Sequence, residues 1–223
     1  MKGHVKRPGT QDYRRRRERA RVTRGRVLDA ARSLFIEAGY VATSIAAIAD
    51  RADVSPETIY ASFGNKRAIL SELVDISIAG DAAAPPVMDQ DWVQEMRDEP
   101  DPHRRLRILA GRGRAILERR SDLDEVVRGA ASADPDIARL QETSKSQRRA
   151  GQRELLRIVA GPTGLRRGLD LEHAADILYA IGSPETYRLL TRDRGWTGAR
   201  FEDWYADTLD KLLLQPGPTE PPA

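Results

Sequence analysis

Two cations stand together at a predicted helix start, where their charge is locally unfavourable. Lys66 and Arg67 follow Asn65, whose side chain can cap a helix that runs to about residue 78. The positive end of a helix dipole disfavours cations in its first turn. The free N–H groups of that turn and a lysine together form an anion site, so the pattern favours the binding of a phosphate group. The alternative is that both side chains extend into solvent.

A second group of cations lies near the N terminus. Residues 1–26 carry eleven lysines and arginines against Asp12 and Glu18, a net charge of +9 in a chain whose total is +3. Four of the arginines are consecutive, namely Arg14, Arg15, Arg16 and Arg17. Residues 1–21 show no apolar periodicity, so we interpret them as a flexible basic arm that would order on DNA, along the minor groove. A solvated tail is the alternative.

The residue types give no support to a catalytic or metal centre. Cysteine is absent, which excludes disulfides and thiol catalysis and fits a cytoplasmic protein. His4, His103 and His173 are far apart and lack metal-ligand spacing. We therefore expect no catalytic residue, no metal and no cofactor. Neither a membrane-spanning apolar run nor a signal-peptide core occurs, so no membrane partner is expected.

The elements that position these groups form a helix-turn-helix between residues 43 and 66. The first helix has a single apolar face, made by Ile45, Ile48, Ala49 and Ala52. Ser55 and Pro56 then begin the second helix, because serine caps free N–H groups and proline suits the first helical position. Ile59 and Phe63 lie four residues apart and can pack back on the first helix. Such a unit places its second helix in the major groove of DNA.

A preceding helix, capped by Thr23 and ended by Gly39, completes a pattern that resembles the N-terminal domain of TetR-family transcriptional regulators. The resemblance covers about residues 22–80 and rests on Val27-Leu-Asp-Ala-Ala-Arg-Ser-Leu-Phe35, Gly39-Tyr40, Thr43-Ser44-Ile45, Ile48-Ala49, Val54-Ser55, Thr58-Ile59-Tyr60, Phe63 and Lys66. Asp53 departs from the family's usual glycine in the turn, and Ser62 from its frequent histidine. Aspartate tolerates the left-handed conformation better than most residues, so we expect the turn to be retained.

The resemblance implies which side chains meet DNA. Thr43, Lys66 and the Tyr60 hydroxyl would contact phosphate. The groove would be faced by Ser55, Pro56, Glu57, Thr58 and Ala61. Ser44 is assigned to the same DNA-binding set, and Arg24 is grouped with the arginines of the arm. Each has a simpler alternative: Ser55 as a cap only, Thr58 bonded to backbone only, and Glu57 favouring only the helix N terminus.

The rest of the chain is predicted to be helical as well, which makes the protein all-α. Residues 81–102 read as a linker around a short helix, residues 103–214 as a helical regulatory and dimerisation domain, and residues 215–223 as a disordered tail. Within the second domain we expect a helix over residues 103–120, another from Ser121 or Asp122 to about residue 133, and a third opened by Pro135. Asp170 then caps a helix that is interrupted at residues 182–184.

In the TetR family this middle region contains an inducer pocket. Candidate lining residues are Leu109, Ile116, Leu140, Ser144 and Gln147. Ser144 and Gln147 continue an apolar stripe with polar groups that can orient a ligand, although an exposed helix middle is the alternative. No aromatic residue occurs between Trp92 and Tyr179, which argues against a large aromatic ligand.

Two strongly apolar helices close the chain and resemble the family's C-terminal pair, which forms a four-helix bundle with its symmetry mate. The residues assigned to a dimer interface are Ile177, Leu178, Ile181, Phe201, Trp204, Tyr205, Leu209 and Leu212. An intramolecular hairpin is the alternative. The sequence thus predicts a homodimeric, ligand-responsive repressor of a palindromic double-stranded operator, with a small-molecule inducer. A non-sequence-specific or architectural DNA-binding protein is the alternative function.

Overall fold

The computed structural model describes residues 10–161 and 164–216, and its regular elements within those ranges are all helical. The all-α prediction is confirmed. The chain divides after Leu73 into an N-terminal and a C-terminal unit. The predicted boundary near residue 80 is later than the observed one, because helix α4 (Lys66–Ala79) belongs to both units. The outermost parts of the predicted arm and tail, residues 1–9 and 217–223, lie outside the described residues.

The N-terminal unit consists of α1 (Thr10–Ala38), α2 (Ile45–Ala52), α3 (Pro56–Phe63) and the first half of α4. Each helix contributes apolar side chains to one core. The most deeply buried are Val27, Ala31, Phe35, Ile48, Ile59, Ile69 and Leu70. Burial of this set fixes α3 against the other helices and so determines which of its faces stays in solvent.

Helix α1 starts earlier than the sequence analysis predicted. It begins at Thr10 instead of after Thr23, so Arg14 to Arg17, which were assigned to a flexible basic arm, lie on a helix in this structure. Periodicity gave no signal because the side chains of residues 13–22 are all exposed. Arginine and glutamate are good helix formers, and Glu18 pairs with Arg21 at 2.7 Å one turn away.

The caps around the helix-turn-helix agree with the predicted ones. The hydroxyls of Ser44 and Ser55 accept hydrogen bonds from backbone amides of α2 and α3, and Asn65 caps α4 by accepting from the Ala68 amide at 2.9 Å. Asp53 ends α2 with φ of 51° and ψ of 54°. The turn therefore keeps its left-handed geometry without glycine, as expected.

The C-terminal unit contains the rest of α4, then α5 (Asp91–Asp98), α6 (Pro102–Ala131), α7 (Pro135–Ala160), α8 (Leu171–Ile181), α9 (Pro184–Arg188) and α10 (Gly198–Leu213). A 3₁₀ turn at Val87–Asp89 precedes α5, and a π-helical turn at Leu189–Asp193 follows α9. Asp170 caps α8 as predicted, and Gly182 with Ser183 separates α8 from α9.

Two predicted features of the C-terminal unit are wrong. The expected break at Ser121 and Asp122 does not occur, because Ser121 is buried inside α6 and the Asp122 carboxylate binds Arg192 at 2.9 Å instead of capping a helix. The short helix of the predicted linker is α5, whose Trp92 and Met96 are buried in the core of this unit. Residues 81–102 are therefore part of the second unit and do not form a spacer.

Half of the residues assigned to a dimer interface are core residues of the protomer itself. Leu178, Phe201, Tyr205 and Leu209 are each at most 2% exposed. Their burial explains the unusual apolarity of α8 and α10, since these helices pack on α6 and α7 as well. The other four are only partly buried, namely Ile177, Ile181, Trp204 and Leu212.

Candidate nucleic-acid interface

Helix α3 has one face in the core and the opposite face in solvent. Ile59 and Phe63 are buried, whereas Glu57, Tyr60 and Ala61 are exposed, with Tyr60 at 54%. The small Ala61 leaves the centre of this face open for close approach by a flat partner. The major groove of DNA is wide enough to admit an α-helix, so the exposed face of α3 fits such a partner.

The N terminus of α3 is organised by two hydroxyls. Ser55 Oγ accepts a hydrogen bond from the Thr58 amide at 3.3 Å and lies 3.2 Å from Thr58 Oγ1. Pro56 occupies the first turn, where it lacks only an N–H that needs no partner. The cap function of Ser55 and the local bonding of Thr58 are thus both present, while the partly exposed Thr58 side chain still borders the exposed face.

Glu57 is held in its charged form. Hydrogen bonds from its own backbone amide and from the Ser55 side chain lower the pKa of the Glu57 carboxyl below its usual range. An ionised carboxylate accepts hydrogen bonds only, which suits the amino group of cytosine in the major groove. The same charge repels a phosphate, so Glu57 fits a base-facing position better than a backbone-facing one.

Two residues expected to contact phosphate are engaged inside the unit instead. Thr43 is buried, and its hydroxyl donates to the carbonyls of Gly39 at 2.8 Å and Leu34 at 3.2 Å. The Lys66 ammonium donates to the carbonyls of Tyr40 at 2.7 Å and Thr43 at 2.6 Å. The geometry gives both side chains a structural role, because their donors close the α1–α2 loop against α4.

Arg24 also belongs to the framework and not to the arm. Its guanidinium binds both carboxylate oxygens of Glu72, donates to the Ser62 carbonyl at 2.8 Å and lies 4.1 Å from the centroid of the Phe63 ring. One side chain of α1 thereby ties the end of α3 to α4. Sequence spacing gave no sign of this, because Glu72 is 48 residues away.

The remaining predicted DNA-contacting residues are accessible. Ser44 is exposed although its hydroxyl caps α2, and Arg14 to Arg17 project from the solvent-exposed start of α1. The sequence analysis missed Tyr13, which is 61% exposed and lies beside Arg17, whose guanidinium carbon is 5.9 Å from its ring centroid. An aromatic residue among arginines was the available signal, since such interleaving is typical of nucleic-acid surfaces.

Comparison with known proteins agrees with this geometry. Residues 27–73 match the family model described as bacterial regulatory proteins, tetR family. The chain is 30% identical over 197 residues to the uncharacterised HTH-type transcriptional regulator YdeS of Bacillus subtilis, an alignment that covers 87% of this chain and 89% of the relative. The chain belongs to the TetR family. It is a DNA-binding transcriptional regulator and not an enzyme.

Further relatives extend the match over nearly the whole regulator. It is 27% identical over 213 residues to the regulator TtgR of Pseudomonas putida, with 91% of this chain and 97% of the relative covered. The crystal structure of FadR from Bacillus subtilis with stearoyl-CoA has a TM-score of 0.64 at 16% identity and covers 82% of this chain and 96% of that one. A putative regulator from Saccharomonospora viridis with choline also has a TM-score of 0.64, at 21% identity, covering 86% and 98%. These likenesses show the fold.

The C-terminal unit of the TetR-family regulator contains a cavity of about 490 Å³. Four of the predicted pocket residues line it, namely Leu109, Ile116, Ser144 and Gln147. Leu140 instead lines a neighbouring, more open groove. The cavity wall includes aromatic side chains although residues 93–178 contain none, because Trp92 and Tyr205 line it from outside that segment. The lack of aromatic residues in residues 93–178 therefore does not argue against an aromatic ligand.

Residues 10–161 and 164–216 lack two further kinds of feature. No group of three or more histidine and carboxylate side chains has an arrangement that suits a metal ion. No helix in the same residues is both long and apolar enough to cross a membrane.

Proposed function

We propose that this regulator binds a palindromic operator as a homodimer and represses transcription until a small molecule binds its C-terminal unit. The observation that carries the proposal is the exposed face of α3, where Glu57, Thr58 and Ala61 border one accessible surface next to Tyr60. A single such helix reads only a few base pairs, whereas two related by a twofold axis read both halves of a palindrome.

Within this proposal the side chains divide into two roles. Glu57 and Thr58 contact base edges, with Glu57 accepting from a cytosine amino group and Thr58 bonding a base or touching a thymine methyl. Tyr60 and Ser44 contact phosphate, and the arginines at the start of α1 extend the phosphate contacts. Lys66, Thr43 and Arg24 support the unit from inside, since their donors already have partners there.

The homodimer is assigned to the outward sides of α8 and α10. Ile177, Ile181, Trp204 and Leu212 are partly exposed on these two helices, although they pack against the core with their other side. Solvent-facing apolar surface of this kind is stabilised by burial against a second copy. The buried residues Leu178, Phe201, Tyr205 and Leu209 support these helices from within the protomer.

The small-molecule response is proposed from the cavity in the C-terminal unit. Its volume lies in the range of ligand sites in proteins. Two structures of the same fold contain small molecules, stearoyl-CoA in one and choline in the other. A ligand that binds one state of the dimer better than the other would shift the population away from operator binding.

Selection of bound duplexes from a random pool tests the proposed operator recognition. We expect enrichment of an inverted repeat, and we expect Glu57→Gln to change the preferred base at one position of each half-site. Asp50→Asn is the matched control, because Asp50 is an exposed carboxylate on α2 and not on α3. Enrichment of no common motif, with equal affinity for all duplexes, would instead favour the non-sequence-specific alternative that the exposed arginines of α1 suggest.

A further inference from the structure

The cavity of the C-terminal unit has mostly apolar walls. Trp92, Leu109, Ile116, Leu155 and Leu178 contribute to them from α5, α6, α7 and α8. Such walls favour a ligand whose body is hydrocarbon, because burial of its apolar surface supplies the driving force.

Two polar groups on the cavity wall, one of them a buried atom, lack a hydrogen-bond partner among the described residues. Gln152 Oε1 is buried and has no hydrogen-bond partner. The Tyr205 hydroxyl belongs to a residue that is only 2% exposed, and it lines the cavity without a hydrogen bond to any described residue. Leaving a buried polar atom such as Gln152 Oε1 unpaired costs about 1–3 kcal/mol, so this atom marks a site that a ligand completes. Burial raises the pKa of the Tyr205 hydroxyl far above its ordinary value. The hydroxyl therefore keeps its proton and is available as a donor.

Arg148 supplies a positive charge to the same wall. Its guanidinium carbon lies 4.0 Å from the centroid of the Tyr179 ring, and it forms no ion pair with any carboxylate that the structure describes. It lines both the cavity and the open groove beside it. Its charge is also the one that acts on Tyr205, where it opposes the effect of burial on the pKa.

The other arginine of the cavity has a different role. Arg120 binds both oxygens of Asp124, at 2.6 and 2.8 Å, and donates to Ser144 Oγ at 2.6 Å. Its charge is neutralised within the protein, and its donors position Ser144. Arg148 is therefore the cation of this wall that remains available for an anion.

We propose that the cavity binds a small aliphatic molecule with one carboxylate group, whose oxygens accept hydrogen bonds from Arg148 and Tyr205. Charge-assisted hydrogen bonds of this kind are the strongest that a binding site offers, and Arg148 stacked on Tyr179 is already oriented to make them. The Gln152 amide, after rotation by 180°, presents its NH₂ group to the same anion. This assignment rests on the proposed ligand response and names the chemical class of the ligand.

Because Asp75 also lines the cavity, a positively charged ligand is the informative alternative to a carboxylate. Asp75 is the acidic residue that lines this cavity, on the α4 wall. The negative charge of Asp75 would attract a ligand with an ammonium group, whereas the positive charge of Arg148 would attract a carboxylate. Decanoate, decylamine and decanol have the same hydrocarbon body and differ only in the polar group, so they separate the two arrangements.

Titration calorimetry of the purified full-length protein, without DNA, tests the assignment. We expect decanoate to bind more tightly than decanol and decylamine, and Arg148→Gln to weaken decanoate by about 10–100-fold while decanol is unaffected. Arg149→Gln is the matched control, because this substitution removes the same charge one residue away. Arg149 does not line the cavity, and its guanidinium lies 3.4 Å from the Asp176 carboxylate. Tyr205→Phe should weaken decanoate with the thermal midpoint of the protein retained.

Several outcomes would overturn the assignment. Decylamine or decanol could bind more tightly than decanoate, or the Arg148 and Arg149 variants could lose the same amount of decanoate affinity. Absence of binding by all three molecules would overturn it as well. The regulator function is measured separately by operator binding of the ligand-free protein. A protein that binds an inverted repeat but not decanoate refutes the ligand class alone, and one that binds decanoate but no specific duplex refutes the operator proposal alone.

Discussion

The ammonium of Lys66 donates a 2.7 Å hydrogen bond to the Tyr40 carbonyl and lies 4.3 Å from the centroid of the Tyr40 ring. A cation placed over an aromatic face and bonded to the same residue's carbonyl is fixed in position. The sequence pattern favoured a phosphate contact for this lysine because its charge is unfavourable in the first turn of α4. The structure gives the conflict another resolution: carbonyls of the α1–α2 loop supply the negative partner.

Replacement of Lys66 by methionine should destabilise the protein. The change removes the two charge-assisted hydrogen bonds to Tyr40 and Thr43, and we expect a loss of about 1–3 kcal/mol in the free energy of unfolding. Chemical denaturation measures this loss, with Arg19→Met as a control that removes an exposed cation of α1. A Lys66 variant as stable as the Arg19 variant, with a shallower salt dependence of DNA binding, would restore the phosphate role.

Tyr60→Phe tests a phosphate contact from the exposed face of α3. Tyr60 is 54% exposed, so loss of its hydroxyl should leave stability unchanged and weaken binding equally for all duplexes. Binding isotherms on the selected operator and on a scrambled duplex measure both effects. A loss confined to the selected operator would show that Tyr60 reads a base instead.

Signals carried by neighbouring residues predicted the DNA-binding unit well. Ser44, Ser55 and Asn65 cap the helices that their positions indicated, because a cap depends on residues within one turn. Interactions between distant residues gave no such signal. The hydrogen bond from Arg24 to Glu72 spans 48 positions. Periodicity identifies the apolar face of α10, but it does not show whether a residue on that face, such as Phe201, is buried in the core of its own protomer or against a partner.

The effect of a substitution at Asp53 on stability depends on the left-handed backbone conformation of this residue. Asp53 is the non-glycine residue with positive φ among those described, and a left-handed conformation costs an L-residue with a Cβ about 1–2 kcal/mol, less for aspartate. We expect Asp53→Val to lower stability by about that amount and Asp53→Gly to preserve it. Thermal melts of both variants measure the difference. Equal losses would show that the contact of Asp53 with Arg26, at 3.0 Å, matters more than the backbone.

Ile177→Asn should shift the proposed dimer toward monomer. Ile177 is partly exposed on α8, where a polar group would have to be desolvated in an interface. Sedimentation analysis at micromolar protein concentrations measures the assembly state. Leu189→Asn is the control, because Leu189 is 54% exposed and lies outside α8 and α10. If only Leu189→Asn dissociates the dimer, the interface lies at the surface around the π-helical turn and not on α8 and α10.

Gly182→Ala should disturb Tyr205 and the cavity beside it. A Cβ at Gly182 would lie 2.2 Å from the Tyr205 hydroxyl oxygen and 2.9 Å from the Leu178 carbonyl, both closer than van der Waals contact. Tyr205 is almost fully buried, so it has little room to withdraw, and overpacking of this kind costs about 1–3 kcal/mol.

A double-mutant cycle that combines Gly182→Ala with Tyr205→Phe separates the contact with the Tyr205 hydroxyl from the contact with the Leu178 carbonyl. The phenylalanine removes the hydroxyl oxygen and leaves the Leu178 carbonyl in place, so the alanine should cost less in that background but should still cost something. Gly129→Ala is the matched control, because a Cβ there meets nothing within 4 Å and alanine favours the interior of α6 by about 0.5–1 kcal/mol. If Gly182→Ala costs the same with and without the Tyr205 hydroxyl, the backbone of α8 and not Tyr205 requires glycine at this position.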